Sequence, residues 1–323
     1  MGLSCLLVSS SGRRAHTRAH ASLWGRNPVR MELESIKAYY LGAGRKIRLV
    51  VMDPREPSTT LAMVRHPESF SSLLGFRAWL ASVVAVSLVF ALQPLYPGLI
   101  GPMSNVLPAA CVATAFVSSV SCSRRYGFGL SSRGFESVWS LFTVGTGLWI
   151  LAEATWAVYY FILKIPVPYP SVADVFYVGG YLPIIAGLIG YLDMFRVGLS
   201  KRRLGVALVA IAVAVALAFT FVLPIELGQN LSAINVLMDM LYPVLDLVLV
   251  SLTFLSLAIF YGGTIAKWWI IFGVGAILYV IGDEFFLYQV ANHTYYNGSV
   301  DDLIFLLGYL TFALAFYVHR KEF

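Results

Sequence analysis

The sequence predicts an all-α integral membrane protein with eight transmembrane helices arranged as two parallel four-helix repeats. Three observations lead there. Of 323 residues, 59% are hydrophobic and only 12% charged, and the mean hydropathy is +0.76, which excludes a soluble globule. Several apolar stretches are long enough to cross ~30 Å of hydrocarbon at ~1.5 Å per residue. The segment from Ser171 to Tyr181 also recurs from Ser299 to Tyr309, each copy opening a long apolar run with an acid in its first turn.

The expected spans are Phe76 to Leu99, Ser104 to Ser121, Val138 to Ile165, Ser171 to Phe195, Leu204 to Leu223, Ala233 to Phe260, Trp268 to Val290 and Val300 to Val318. The second is the shortest and the richest in small residues. The chain then divides into a basic cytoplasmic arm over 1–74, a first membrane repeat over 75–195 and a second over 196–323 with a short tail. Residues 1–30 hold five arginines and no acid, and lack hydrophobic periodicity. They read as a disordered arm, or as sequence before a true start at Met31. One short strand is expected between Lys46 and Asp53, although a lone strand has no partner to pair with. No apolar core of signal-peptide length precedes Phe76, so the first span is expected to act as its own uncleaved insertion signal. Cys5, Cys111 and Cys122 have no paired spacing and read as free thiols rather than a disulfide frame or a zinc site.

Lysine and arginine are retained on the cytoplasmic side of short loops. With eight alternating spans, the N-terminal arm, Arg124, Arg125 and Arg133, the Arg196 to Arg203 loop, Lys267 and Arg320-Lys321 fall on one side, leaving only Lys164 opposite. Both termini are therefore expected in the cytoplasm of a multi-pass cell-membrane protein. The lipid bilayer is the partner this composition implies; the pI near 9.2 reflects orientation and not nucleic-acid binding. The sequons at Asn230, Asn292 and Asn297 all fall on the outer side.

The duplication extends past the opening motif. Leu107-Pro108 and Tyr126-Gly127 match Tyr242-Pro243 and Tyr261-Gly262 at one offset, counting the Leu107 position as Tyr242. Trp139, Phe142, Gly145, Leu148 and Glu153 match Trp269, Phe272, Gly275, Leu278 and Asp283 at another. Four spans per repeat keep both copies in one orientation, with the repeat axis along the membrane normal.

Acids inside hydrocarbon are costly and normally face a bundle interior, a cavity or a partner. Trp149, Glu153, Trp156 and Tyr160 share one helical face, and Tyr279, Asp283 and Phe286 repeat it. Asp174 and Asp302 lie in first turns, where a carboxylate also suits the helix dipole. With Tyr181 and Tyr309, these residues suggest one outward-open site (Trp149, Glu153, Trp156, Asp174, Tyr181) and a twin (Asp283, Asp302, Tyr309). The acids are alternatively helix-end caps and staples between helices. Since the only Lys or Arg within the span bounds, Arg77 and Lys164, sit at span ends, a cation, a proton or a small cationic or polar ligand can balance their charge, with cation–π help from the aromatics. Asp246, mid-span, adds an acid whose counterpart is Cys111, while Glu284 points about 100° away from Asp283.

The pattern Trp149-x3-Glu153-x2-Trp156, Pro170-Ser171-x-Ala173-Asp174-x2-Tyr177-x2-Gly180-Tyr181, Leu241-Tyr242-Pro243-x2-Asp246, Gly282-Asp283 and Gly298-Ser299-x2-Asp302-x5-Gly308-Tyr309 resembles the N-terminal membrane module of bacterial diguanylate cyclases and archaeal histidine kinases, over roughly residues 75–320. The resemblance implies a sensory module. In that family a GGDEF, EAL or kinase domain follows; here the sequence ends at Phe323, so the resemblance implies signalling to a separate cytoplasmic protein.

A small-solute or cation transporter is the alternative, and an intramembrane lipid hydrolase a further one. The five histidines, His16, His20, His66, His293 and His319, fall outside the expected spans, and no nucleophile elbow, P-loop or metalloprotease helix occurs. No catalytic residue, cofactor or metal is expected. Retinal in particular would need a lysine deep in the membrane, and Lys164 and Lys267 sit at span ends.

Overall fold

The computed structural model describes residues 5–8, 14–17, 48–51, 74–130, 134–195, 205, 209, 232–260 and 265–322. Two units are distinguished, one over 1–69 with 260–266 and one over 70–259 with 267–323. The first contains an antiparallel sheet of β1 (Cys5–Val8), β2 (Arg14–Thr17) and β3 (Arg48–Val51) in the order β2-β1-β3, with Cys5 opposite both Thr17 and Val51. The single strand expected near Lys46 to Asp53 therefore has a partner. Two of the three strands fall within residues 1–30, expected either as a disordered arm or as sequence before a true start at Met31; short strands of this kind carry too little period-2 signal to stand out.

The second unit is helical. Its helices are α1 (Leu74–Ala91), α2 (Pro97–Tyr126), α3 (Phe135–Ala157), α4 (Val172–Phe195), α5 (Ala233–Phe260), α6 (Ala266–Ala291) and α7 (Val300–Glu322). Each is long and apolar enough to cross a membrane, which makes this an all-α membrane protein; the stretch 204–223 lies outside the described residues apart from positions 205 and 209. The first two spans are divided differently from expectation. α1 stops at Ala91, a 3-10 turn runs Gln93–Leu95, and Pro97 opens a 30-residue α2. Pro94 and Pro97 account for the break: each lacks an N–H, which costs nothing at the start of a helix but removes a hydrogen bond from its interior.

α2 lies between α3 and α7, α4 packs along α3, and α1 covers α7. α7 is the most enclosed helix and α1 the most peripheral, with Leu80, Val84 and Leu88 on its open face. Arg125 donates to the Arg320 carbonyl at 2.7 Å and Lys267 to Glu322 at 3.1 Å, so the end of α2, the start of α6 and the end of α7 meet at one basic end. Above it the bundle is filled by large rings, among them Trp139, Trp268, Phe142, Phe272 and Phe316. Edge-to-face contacts of this kind add about 0.5–1.5 kcal/mol per pair beyond area burial. His319, expected outside the spans, is fully buried among them, 4.5 Å from the Trp139 ring centroid, because α7 continues past Val318 to Glu322. Cys111 and Cys122 are buried free thiols.

α3 and α4 meet at two glycines. A Cβ on Gly180 would lie 2.4 Å from Trp149 Cδ1 and 3.0 Å from the Gly145 carbonyl oxygen, and one on Gly145 would lie 2.8 Å from the Gly180 oxygen. Small residues of this kind let helix backbones approach closely where no hydrophobic force drives association. Gly180→Val is accordingly expected to cost about 1–3 kcal/mol of stability through overpacking, read as a lower thermal midpoint of the purified protein. An unchanged midpoint would contradict the close approach.

Candidate ligand cavity

At the end of the bundle opposite the basic one, helices α2 to α7 part around a cavity of about 620 Å³. Two segments close its rim. After Ala157, α3 continues as a π-helical turn over Val158–Leu163 and stops at Lys164, whose φ of 54° turns the chain into the strap Ile165-Pro166-Val167-Pro168-Tyr169. The other segment is the α6–α7 loop with Tyr295, Tyr296 and Asn297. Among the described residues, the lining includes four acids (Glu153, Asp174, Asp283 and Asp302), eight tyrosines and a single basic residue, Lys164.

The acids are held by hydroxyls from other elements. Tyr309 on α7 donates to Glu153 Oε1 on α3 at 2.8 Å, and Tyr242 on α5 donates to Asp174 Oδ1 on α4 at 2.7 Å. Tyr181 on α4 contacts Asp283 Oδ2 on α6 at 2.7 Å, and Tyr295 donates to Asp302 Oδ1 at 3.3 Å. On α5, Asp239 Oδ1 accepts from Tyr169 at 2.6 Å, which ties the proline-rich strap down. Burial, then Asp239 as acceptor, pushes the Tyr169 hydroxyl well above its ordinary value; burial and the Asp302 charge do the same to Tyr295. Both loop hydroxyls therefore stay protonated as donors at neutral pH.

The two first-turn acids are also local caps. Asp174 Oδ2 accepts from Ser171 N at 2.5 Å and Ser171 Oγ at 3.0 Å, while the Ser171 hydroxyl accepts from Ala173 N, so each residue closes the other's turn. Asp302 Oδ2 accepts from Gly298 N at 2.7 Å. Gly298 has φ of 95°, and a Cβ there would meet Ile100 Cγ1 at 2.3 Å, so both the conformation and the space require glycine.

Tyr181 also hydrogen-bonds Asp246 Oδ1 on α5. A hydroxyl has one proton and donates once. With carboxyl oxygens on both sides, the second bond needs a proton from Asp246 or Asp283, and the three groups form one shared-proton chain. Asp246 Oδ2 has no hydrogen-bond partner among the described residues. Asp246 and Glu284 line a separate recess of about 160 Å³ between α5 and α6.

Of the nine residues expected at a site, the cavity brings together Glu153, Trp156, Asp174, Asp283, Asp302 and Tyr309. Trp149, Tyr181 and Asp246 lie off its wall. Trp149 is a backing residue, stacked on Tyr279 at 4.6 Å between centroids and donating from Nε1 to the Tyr177 carbonyl. Tyr181 and Asp246 hold Asp283 from behind. Residues of both expected sites line this one cavity, with Glu153 bonded by Tyr309 and Asp283 by Tyr181. Tyr169, Tyr177, Tyr242, Tyr279, Phe286 and Tyr295 were not expected on the wall. Tyr279 and Phe286 share the helical face of Asp283, which was a usable signal; Tyr169 and Tyr295 sit in loops and carry none. Of the three sequons, Asn292 is exposed, Asn297 lines the cavity within 3.4 Å of Asn105, and Asn230 lies outside the described residues.

Among the described residues, no group of three His, Cys, Asp or Glu side chains is placed to hold a metal ion. Compared with known proteins, the chain matches no family profile, no curated protein and no solved structure.

Removing one tyrosine donor leaves a buried carboxyl short of a partner, at about 1–3 kcal/mol. Tyr181→Phe, which strips the hydroxyl from two carboxyls, is expected to lower the thermal midpoint more than Tyr309→Phe, which strips one. The reverse order would contradict the shared chain.

Proposed function

We propose that this protein is a membrane sensor module that takes up a small cationic or polar ligand from the outer side and passes its occupancy to a separate cytoplasmic partner. The observation that carries this reading is the composition of the cavity wall: four acids against one lysine, around a volume typical of small-molecule sites, ~300–1,000 Å³. Acids in a membrane protein attract a counter-charge, and the aromatic lining supplies contact area for a ligand body.

The proposal includes eight spans in two parallel repeats. Reciprocity supports the repeats: Tyr309 bonds Glu153 and its matched residue Tyr181 bonds Asp283, the match of Glu153. The glycine contact between Gly145 and Gly180 likewise has a counterpart, in which a Cβ on Gly308 would lie 3.5 Å from the Gly275 oxygen. The eighth span is supported by chain direction. α4 runs from the cavity end to the basic end, whereas α5 begins near the cavity, where Asp239 meets Tyr169. A further crossing over 204–223 reconciles the two. With the basic end cytoplasmic, eight crossings leave both termini there.

Transport and lipid hydrolysis have less support. α2 and α5 run unbroken past Pro108 and Pro243, unlike the interrupted helices of many transporters, and among the described residues no histidine lines the cavity.

Two measurements test the proposal. In a background without other reactive thiols, a cysteine at Thr294 is expected to be labelled from outside intact cells and one at Phe128 only after permeabilisation; the opposite pattern inverts the orientation. In thermal shift, at least one probe from a panel of inorganic cations, amines and neutral polar solutes is expected to stabilise the wild type saturably, by about 2.7 kcal/mol at a hundredfold excess over Kd. If the stabilising probe is cationic, Glu153→Gln is expected to abolish its effect. A flat response to the whole panel would refute ligand uptake.

A further inference from the structure

The four cavity acids are not equivalent. Asp174 and Asp302 have both oxygens engaged in turns that begin α4 and α7. Asp283 is tied through Tyr181 to Asp246. Glu153 is neither at a helix end nor joined to a second carboxyl; it lies within α3, 7% exposed, held by the hydroxyls of Tyr309 on Oε1 and of Tyr177.

One turn further along α3, Trp156 meets two other lining rings, Phe286 of α6 and Tyr295 of the α6–α7 loop. The centroid separations are 5.9 Å for Trp156–Phe286, 6.1 Å for Trp156–Tyr295 and 5.1 Å for Phe286–Tyr295, and the interplanar angles are 74°, 77° and 78°. Three mutually near-perpendicular rings make the corner of a box. Their π-faces carry negative potential, so such a corner attracts a cation. It suits a particular kind of cation. A bare metal ion loses oxygen ligands against hydrocarbon rings and needs several oxygen ligands to replace them, and among the described residues no three His, Cys, Asp or Glu side chains gather to hold one. An organic ammonium has a skin of methyl or methylene groups, is weakly hydrated, and carries its charge into contact with ring faces at little desolvation cost. The remaining volume suits an attached body rather than a lone ion.

We propose that the ligand is a small organic ammonium compound, its cationic head seated in the corner of Trp156, Phe286 and Tyr295 with Glu153 as counter-ion. The inference rests on the reading of this cavity as a ligand site. The body of the ligand extends toward the hydroxyls of Tyr169 and Tyr242 and the amide of Asn105.

The test uses the full-length protein in detergent or nanodiscs, with choline as probe. Its uncharged carbon isostere controls for shape, and sodium and calcium chloride control for charge alone. Choline is expected to bind saturably in calorimetry and to raise the thermal midpoint, while the isostere does not. Glu153→Gln abolishes the effect. Trp156→Leu weakens choline binding by about tenfold or more and Trp156→Phe by a smaller factor, since a ring face is retained. The wild-type comparison stands even if a variant folds poorly. Equal binding of choline and its isostere would overturn the proposal. A saturable response to sodium or calcium that needs Glu153 but ignores Trp156 would overturn it while leaving the sensor reading intact. A response to none of these probes would overturn the ammonium assignment, and the wider panel then decides the sensor reading separately.

Discussion

The bundle depends on how its buried carboxyls are satisfied. A carboxyl in hydrocarbon cannot turn to bulk water, so it must find a donor or a cation within the protein. Here the donor is repeatedly a tyrosine hydroxyl. Glu153, Asp174, Asp239, Asp246, Asp283 and Asp302 each hydrogen-bond one, Asp246 and Asp283 sharing that of Tyr181, and in all but the Asp302 pair the hydroxyl and the acid come from sequentially distant elements. These bonds join α3 to α7, α4 to α5 and α6, and the proline-rich strap to α5. They fix relative rotation as well as proximity, because a hydroxyl at the end of a rigid ring reaches only a short arc of a neighbouring helix.

The same pairing explains why the bundle has a filled half and a hollow half. Toward the basic end, Trp139, Trp268, Phe142, Phe272 and Phe316 interlock without a role for acids, and van der Waals contact holds the helices together. Toward the other end the rings are mostly tyrosines whose tips are committed to carboxyls. A ring anchored at its tip cannot also rotate to fill space beside it, so the ring faces of Tyr309 and Tyr242 remain as walls around a void, beside Tyr279. Trp149 stiffens that wall by stacking on Tyr279. The cavity is thus a consequence of satisfying the acids, and its negative, aromatic character follows from the groups that do so.

Much of the candidate site was legible from helical spacing. Glu153 and Trp156 share a face, Asp283 and Phe286 repeat it, and all four line the cavity. Trp149 follows the same spacing yet sits behind the wall, because α4 passes so close at Gly180 that the indole is enclosed between helices. Asp246, expected at mid-span, lies in the middle of α5, but its side chain serves Tyr181 rather than the cavity. The twin-site expectation failed for a related reason. Tyr309 pairs with Glu153 and Tyr181 with Asp283, so residues expected at two sites meet around one cavity.

What the sequence alone determined was local. Apolar run lengths set the helices, Pro94 and Pro97 set the break between α1 and α2, and the spacing from Ser171 to Asp174 set a helix cap, each within a few residues. Which hydroxyl meets which acid was decided by tertiary structure. Tyr309 and Glu153 are 156 residues apart, and Tyr181 and Asp283 are 102 apart. No periodicity of 3.6 residues encodes such a pairing. It is set by the crossing points of helices, which depend on side-chain volume summed over whole interfaces, down to two glycines that bring α3 and α4 into backbone contact.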